Sequence, residues 1–280
     1  MDIFREIKPL KAFLREKRKA GSVVGFVPTM GALHQGHLSL LHSSQKNECF
    51  TVCSIFVNPV QFNNPDDLKK YPRTLEADIA LLEQSSCDVL FIPDSSEIYP
   101  LEPITRFDFG KLDKIMEGEF RPGHFSGVAL IVAKLFNIVE PDHAFFGQKD
   151  WQQFTIVRQL VSDLAFNVHL HAVPTLREAD GLAMSSRNQR LTPEQRKNAN
   201  SFYTTLLQSR DQLTAGNTMD SVRISAREFL EKHEGFRLEY LELVDRANLT
   251  PLKNVEEPNR AVLCIAGLIN DIRLIDNILV

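Results

Sequence analysis

Four cysteines occur in 280 residues, and none shares a CxxC spacing with another. That excludes a zinc ribbon and a disulfide-stapled scaffold, and it implies reduced thiols in a cytoplasmic protein. No apolar run approaches the about 20 residues that span a bilayer. The N-terminus lacks the long apolar core of a secretory signal. An excess of positive charge is missing as well. The net charge of -4 argues against general nucleic-acid binding. The first 20 residues depart from that balance, with seven Lys/Arg against three Asp/Glu. Leu10, Phe13 and Leu14 give this stretch one apolar face, so it reads as an amphipathic helix with solvated lysines. There is no GxGxxG fingerprint, no internal repeat and no low-complexity tract.

Residues 22–173 instead alternate strand-like and helix-like segments. Strands are expected at 22–27, 50–57, 87–92, 143–146 and 167–173, and helices at 36–47, 74–84, 124–139 and 150–164. Strands alternating with amphipathic helices imply βαβ crossovers and a mainly parallel, Rossmann-like α/β sheet. The pattern then changes. Residues 174–192 form a polar loop. A helix follows from Pro193 with Thr192 as its cap, and another spans about 219–232. Strands are expected at 236–244, 261–268 and 271–276, with Asn270-Asp271 as the last hairpin turn. The expectation is a 1–175 Rossmann-like domain and a smaller 176–280 α+β domain acting as a lid.

Four polar clusters each follow an expected strand. In open parallel sheets, ligands bind outside the carboxyl ends of the strands, so these loops should converge on one pocket. The first cluster is Pro28-Thr29-Met30-Gly31-Ala32-Leu33-His34-Gln35-Gly36-His37. It places two imidazoles on the first turn of a helix, where free N–H groups and the positive dipole end favour an anion. The Gly31-x4-Gly36 spacing imitates a P-loop, but His37 stands where that motif needs Lys. The pair is not HExxH, and no third metal ligand has a recognisable spacing. The other clusters are Asn58 to Phe62 with Gln61, Gly147-Gln148-Lys149-Asp150 with Gln153 one turn on, and Leu176 to Asn188. In the last, Ser185, Ser186 and Arg187 offer hydroxyls and a guanidinium suited to phosphate oxygens. The Arg121-Pro122-Gly123-His124 turn is either a helix cap or a mobile cover. Asp66, Asp67 and Glu83 read as solvated charges.

Taken in order, these pieces resemble the pantothenate synthetase (pantoate–β-alanine ligase) family through nearly the whole chain. The matching stretches are 28–37, Phe56 to Phe62, Tyr71-Pro72-Arg73-Thr74, Arg121 to Phe125, Phe146 to Asp150, and Met184 to Asn188. His-x-Gly-His alone marks only the wider nucleotidyltransferase (HUP-type) superfamily. The resemblance implies ATP-dependent condensation of D-pantoate with β-alanine through a pantoyl adenylate, with Mg²⁺, in a homodimer. It implies that Met30, Gly31, Ala32, Leu33, His34, Gln35, Gly36, His37, Gly147, Gln148, Lys149, Asp150, Leu176, Met184, Ser185, Ser186 and Arg187 bind ATP. It implies that Gln61 and Gln153 hold pantoate and that Gln61 also contacts β-alanine. His37 is the implied proton donor, with His34, Lys149, Ser185 and Arg187 as catalytic partners; no metal-contacting residue is assigned. The rival readings are a nucleotidyltransferase acting on a phosphorylated acceptor and a nucleotide-binding regulatory module. Neither needs Gln61 and Gln153 placed for a hydroxy acid, and the regulatory module predicts loss of charged groups that are all present.

Overall fold

A computed structural model of the chain describes residues 1–255, 257 and 259–280. Its strands are β1 (Asp2–Phe4), β2 (Val24–Thr29), β3 (Phe50–Ile55), β4 (Val89–Phe91), β5 (His143–Gly147), β6 (His169–Val173), β7 (Phe236–Asp245), β8 (Ala261–Ile269) and β9 (Ile272–Leu279). Its helices are α1 (Ile7–Lys19), α2 (Gln35–Lys46), α3 (Pro65–Lys70), α4 (Leu75–Gln84), α5 (Ser95–Ile98), α6 (Glu117–Phe120), α7 (His124–Val139), α8 (Trp151–Asp163), α9 (Pro193–Asn198), α10 (Ser201–Thr214) and α11 (Met219–Leu230).

The first six strands form one parallel sheet in the order β1-β4-β3-β2-β5-β6. Parallel pairing needs crossovers, and helices cover both faces. Residue alternation sorts the faces. Phe26 and Val52 join the core with α1, α7 and α8, whereas Val27, Cys53 and Ile55 join the core with α2 and α4. Chain order reverses at β2, which has β3 on one side and β5 on the other. The crevice outside the carboxyl ends of β2 and β5 is the switch point of the sheet.

The last three strands form an antiparallel meander. Ile269 pairs with Ile272, so Asn270-Asp271 is the expected two-residue turn, with Asn270 at φ +54°. One face packs on α10 and α11 through Leu206, Leu213, Val222 and Leu230. Val244, Val262 and Cys264 on the other face join the core containing Trp151 and Phe154 of α8. All four cysteines are buried free thiols. No helix among the described residues is long and apolar enough to cross a membrane.

Several elements depart from expectation, the short helices α3, α5 and α6 among them. Strand β1 lies in the stretch read as helix, and its three residues are too few to show a period. The helix expected from Pro193 is two helices, because the chain slips between Asn198 and Ser201 while staying near helical angles. Its capping box is Thr192 with Gln195.

A cluster of buried charges joins the two sheets. Glu117 on α6 receives Arg273 of β9 through two bonds of 2.6 and 2.7 Å, and the Tyr240 hydroxyl at 2.9 Å. Burial alone would raise the Glu117 carboxyl; hydrogen bonds and charge from Arg273, with the Arg121 charge, outweigh it and hold it at about 2. Glu117→Gln should destabilise the fold by about 2–3 kcal/mol, measured as a lower urea midpoint. The cost stays below that of an orphaned charge because Glu239 also faces Arg273 at 2.6 Å. Since the carboxyl is depressed on folding, this contribution is full above the ordinary carboxyl value of 4.5 and is lost as the pH falls toward 2.

Candidate active site

The turn between β2 and α2 is held from beneath. Asp78 on α4, 2% exposed, accepts from the backbone N–H of Ala32 at 2.9 Å and of Leu33 at 2.8 Å. Thr74 donates to the same carboxylate at 3.1 Å. Gly31 sits at φ +78°, and a Cβ there would meet Asp78 at 3.0 Å. The amides of Ala32 and Leu33 are therefore already satisfied. Both amides lie ahead of α2 and are not available to an anion.

The two histidines cap the helix themselves. His34 is the N-cap residue of α2, and its Nδ1 accepts from Gly36 N–H at 3.1 Å. His37 Nδ1 accepts from His34 N–H at 3.3 Å. Accepting at Nδ1 leaves each proton on Nε2. The ring centroids lie 4.1 Å apart. Burial and the Lys149 charge lower His34 to about 4; burial, His34 and Lys149 lower His37 to about 3. At neutral pH both rings are neutral Nε2–H donors. They add hydrogen bonds to the site but no positive charge.

All four clusters meet in one cleft of about 1260 Å³, its mouth included. Its walls carry Met30, His34, Gly36, His37, Gln61, Gly147, Lys149, Asp150, Gln153, Leu176, Met184, Ser185, Ser186 and Arg187. Gly31, Ala32, Leu33, Gln35 and Gln148 do not line it. The first three are buried in the supporting turn, and Gln35 is exposed. The Gln148 and Lys149 carbonyls accept from Asn277 on β9 at 2.9 and 2.8 Å, which ties this loop to the second sheet. Ser185 caps its own short turn by accepting from Arg187 N–H. Ser186 donates to the Ala32 carbonyl at 3.1 Å, so it holds the histidine turn from above.

A network absent from the sequence reading orients Gln61. Asn58, 1% exposed, donates to the Gln61 Oε1 at 3.0 Å and to the Gly127 carbonyl at 3.1 Å. Tyr99 donates to Asn58 Oδ1 at 2.9 Å. Among the described residues this leaves the Gln61 Nε2 against only the Met30 sulfur at 3.1 Å, a weak acceptor, so its donors remain available to a ligand. A Cβ at Gly127 would come within 2.6 Å of the Val60 carbonyl, so α7 presses directly on this loop. The 121–124 turn is the entry to α7, with Gly123 at φ +80° as its cap and His124 buried. No signal local to Asn58, Tyr99 or Asp78 foretold these contacts.

Lys149 and Arg187 are the cations of the cleft wall. The nearest carboxylate to Lys149 is Asp150 at 3.9 Å. Arg187 is engaged by Asp67 at 3.0 Å, and Arg190 meets the same carboxylate at 3.5 Å. Asp67 is therefore not a free solvated charge as expected; Asp66 and Glu83 are exposed. Among the described residues no group of three or more His, Cys, Asp or Glu could hold a metal ion.

A cleft at the switch point of a doubly wound sheet, with neutral donors and two cations among its lining, is suited to an anionic ligand. A family model described as pantoate-beta-alanine ligase matches residues 2–279, and the chain belongs to that ligase family. Pantothenate synthetase of Cytophaga hutchinsonii is 44% identical over 98% of this chain and 97% of its own. That of Aquifex aeolicus is 46% identical over 98% and 97%. The crystal structure of pantothenate synthetase from Thermus thermophilus covers 99% of both chains with a TM-score of 0.92 and 43% identity. Pantoate-beta-alanine ligase from Francisella tularensis, complexed with beta-gamma ATP and beta-alanine, covers 100% of this chain and 97% of its own at a TM-score of 0.84 and 35% identity.

Nitrogen-detected NMR of the free protein should show both rings as Nε2–H tautomers that stay neutral down to about pH 5. Titration of either near 6.5 would contradict the capping geometry. Because both values fall on folding, these rings lower stability as the pH drops from 6.5 toward 3–4. Asp67→Asn frees Arg187 and should tighten ATP binding roughly two- to fivefold in calorimetry; weaker binding would show that Asp67 orients Arg187 instead.

Proposed function

We propose that this protein condenses D-pantoate with β-alanine to pantothenate, a coenzyme A precursor, releasing AMP and pyrophosphate by way of pantoyl adenylate. The observation that carries this reading is one cleft holding two sets of groups. The Nε2–H donors of His34 and His37 stand with Lys149 and Arg187 on its wall, and the amides of Gln61 and Gln153 line the same space. The first set suits a triphosphate, the second a small hydroxy acid.

ATP is assigned to residues Met30 to His37, Gly147 to Asp150, Leu176 and Met184 to Arg187. Within these stretches, Gly31, Ala32 and Leu33 act by fixing the turn rather than by touching the nucleotide. Gln61 and Gln153 are assigned to pantoate, and Gln61 also to β-alanine. Carboxylate attack on the α-phosphate brings two anions together, so positioning and charge stabilisation dominate catalysis. His37 donates a hydrogen bond from Nε2 to oxygen as charge develops, and Lys149 and Arg187 counter the departing pyrophosphate.

Mg²⁺ fits this donor set as a passenger of the triphosphate. Mg²⁺ is commonly held by one or two carboxylates, water and substrate phosphates rather than by an all-protein cage. Asp150 is the carboxylate on the cleft wall that would hold it. Its chemistry when bound is to neutralise phosphate charge. Residues 176–280 acting as a lid over 1–175, homodimeric assembly and a cytoplasmic location belong to the same proposal.

AMP and pyrophosphate should form from ATP only when D-pantoate is present; release of ADP would end this reading. His37→Ala should slow adenylate formation by about 10²–10³-fold in rapid quench.

A further inference from the structure

Three of the eight histidines stand together outside the cleft. His143 opens β5, and His169 and His171 lie on β6, the outermost strand of the six-stranded sheet. His143 pairs with His169 in the ladder and Phe145 with His171, so all three imidazoles project from one face. His143 Nδ1 and His171 Nε2 approach to 2.9 Å. Packing holds both rings in orientation. His171 lies flat on the buried ring of Phe145, with centroids 4.5 Å apart and planes 15° apart. His169 stacks on His143 at 5.3 Å and 29°.

Little else engages these rings. Among the described residues, the contact between His143 and His171 is the hydrogen bond that either ring makes, and the His169 ring makes none. The carboxylate of Asp142, next to His143 in the chain, accepts from the Val24 N–H at 2.7 Å. Burial, with the neighbouring His143 and His169, lowers His171 and keeps it in the neutral form that ligates metals. His143 and His171 are half-buried and His169 is exposed, so an ion reaches the pair from solvent.

We propose that His143 Nδ1 and His171 Nε2 chelate a divalent transition-metal ion of the nickel(II) or copper(II) class, with water at its remaining positions. The separation of the two nitrogens selects the class. With metal–nitrogen bonds of about 2.0–2.1 Å, a 2.9 Å separation subtends about 90° at the ion. That is the cis angle of a square-planar or octahedral centre, whereas tetrahedral zinc asks for about 3.3 Å between its ligands. The ion takes the place of the shared hydrogen. The ring that now donates carries its proton on its other nitrogen instead, so the pair binds without a change in its own charge. His169 does not converge on the same point, since no group of three such side chains among the described residues could hold an ion. The chain therefore supplies two ligands. Gly147, on the cleft wall, lies four residues beyond His143, about 13 Å along β5. The ion fastens β5 to β6 without touching the cleft, and the site stands apart from the ligase reading.

The test uses the full-length protein without an affinity tag. Calorimetry with nickel chloride should saturate at one equivalent in the micromolar range. His143→Gln or His171→Gln should weaken this binding at least about tenfold. His37→Gln should leave it within about twofold, because the cleft imidazoles are a separate pair. Electron paramagnetic resonance with one equivalent of copper(II) should count two equatorial nitrogens in the parent and in His169→Gln, and one in either ligand variant. No binding by the parent, nickel affinity lost in His37→Gln but kept in His171→Gln, or a nitrogen lost in His169→Gln but not in His143→Gln would each overturn the assignment. Zinc binding tighter than nickel would overturn the geometry behind it. If one ligand variant does not fold, the other variant and the nitrogen count in the parent decide.

Discussion

The carboxylate of Asp78 holds the turn on which the cleft depends. Residues 31 and 32 both have positive φ, at +78° and +48°. Such a backbone persists only where its surroundings over-determine it. Asp78 supplies that constraint from α4 by taking two successive amides, and Ser186 supplies it from the opposite side through the Ala32 carbonyl. With the turn pinned, His34 is delivered to the N-cap of α2 and His37 to the third helical position. Their Nδ1 atoms close the first turn, and their Nε2 protons are left for a ligand. One buried carboxylate therefore fixes the tautomers of two side chains it does not touch.

A second constraint is the seam between the sheets, where two buried carboxylates behave differently. Glu117 is held down at about 2, although burial opposes it, because Arg273 binds both its oxygens and Arg121 adds charge. Asp276 also has a two-pronged arginine, Arg177 at 2.6 and 3.0 Å, yet burial wins and its carboxyl is raised. The difference is the number of donors and charges around each oxygen pair. Adjacent to Asp276, Asn277 bonds the carbonyls of Gln148 and Lys149. The loop after β5 is thereby fastened to the second sheet, so any movement of that sheet acts directly on Lys149.

Much of this was legible in the sequence because it depends on local pattern. Apolar runs such as Val24 to Val27 and the periodic apolar positions of 124–139 declare strands and helices by their period. Polar clusters after successive strands declare a common rim by topology. What was hidden depends on partners far along the chain. Asp78 lies 46 residues from Ala32, and Tyr99 lies 41 from Asn58. Nothing near Asp67 tells that it meets Arg187, 120 residues away. The Ala32 and Leu33 amides belong to this hidden part: they look free in the local sequence, and a distant side chain consumes them.

The electrostatics of the site fit a reaction with two unlike steps. Adenylate formation needs donors that strengthen as charge builds on the phosphate, and neutral imidazole N–H groups do so without binding the ground-state anion as tightly as an imidazolium would. The second step needs the amine of β-alanine in its neutral form. Lys149 and Arg187 line the cleft with positive charge, and like charge disfavours an ammonium. The field that receives the triphosphate thus also favours loss of the amine's proton once pyrophosphate has gone. Were His34 and His37 also cationic, the ground state would be overbound in the first step. Neutral rings beside two fixed cations fit both requirements, and burial with the nearby Lys149 charge is what keeps those rings neutral.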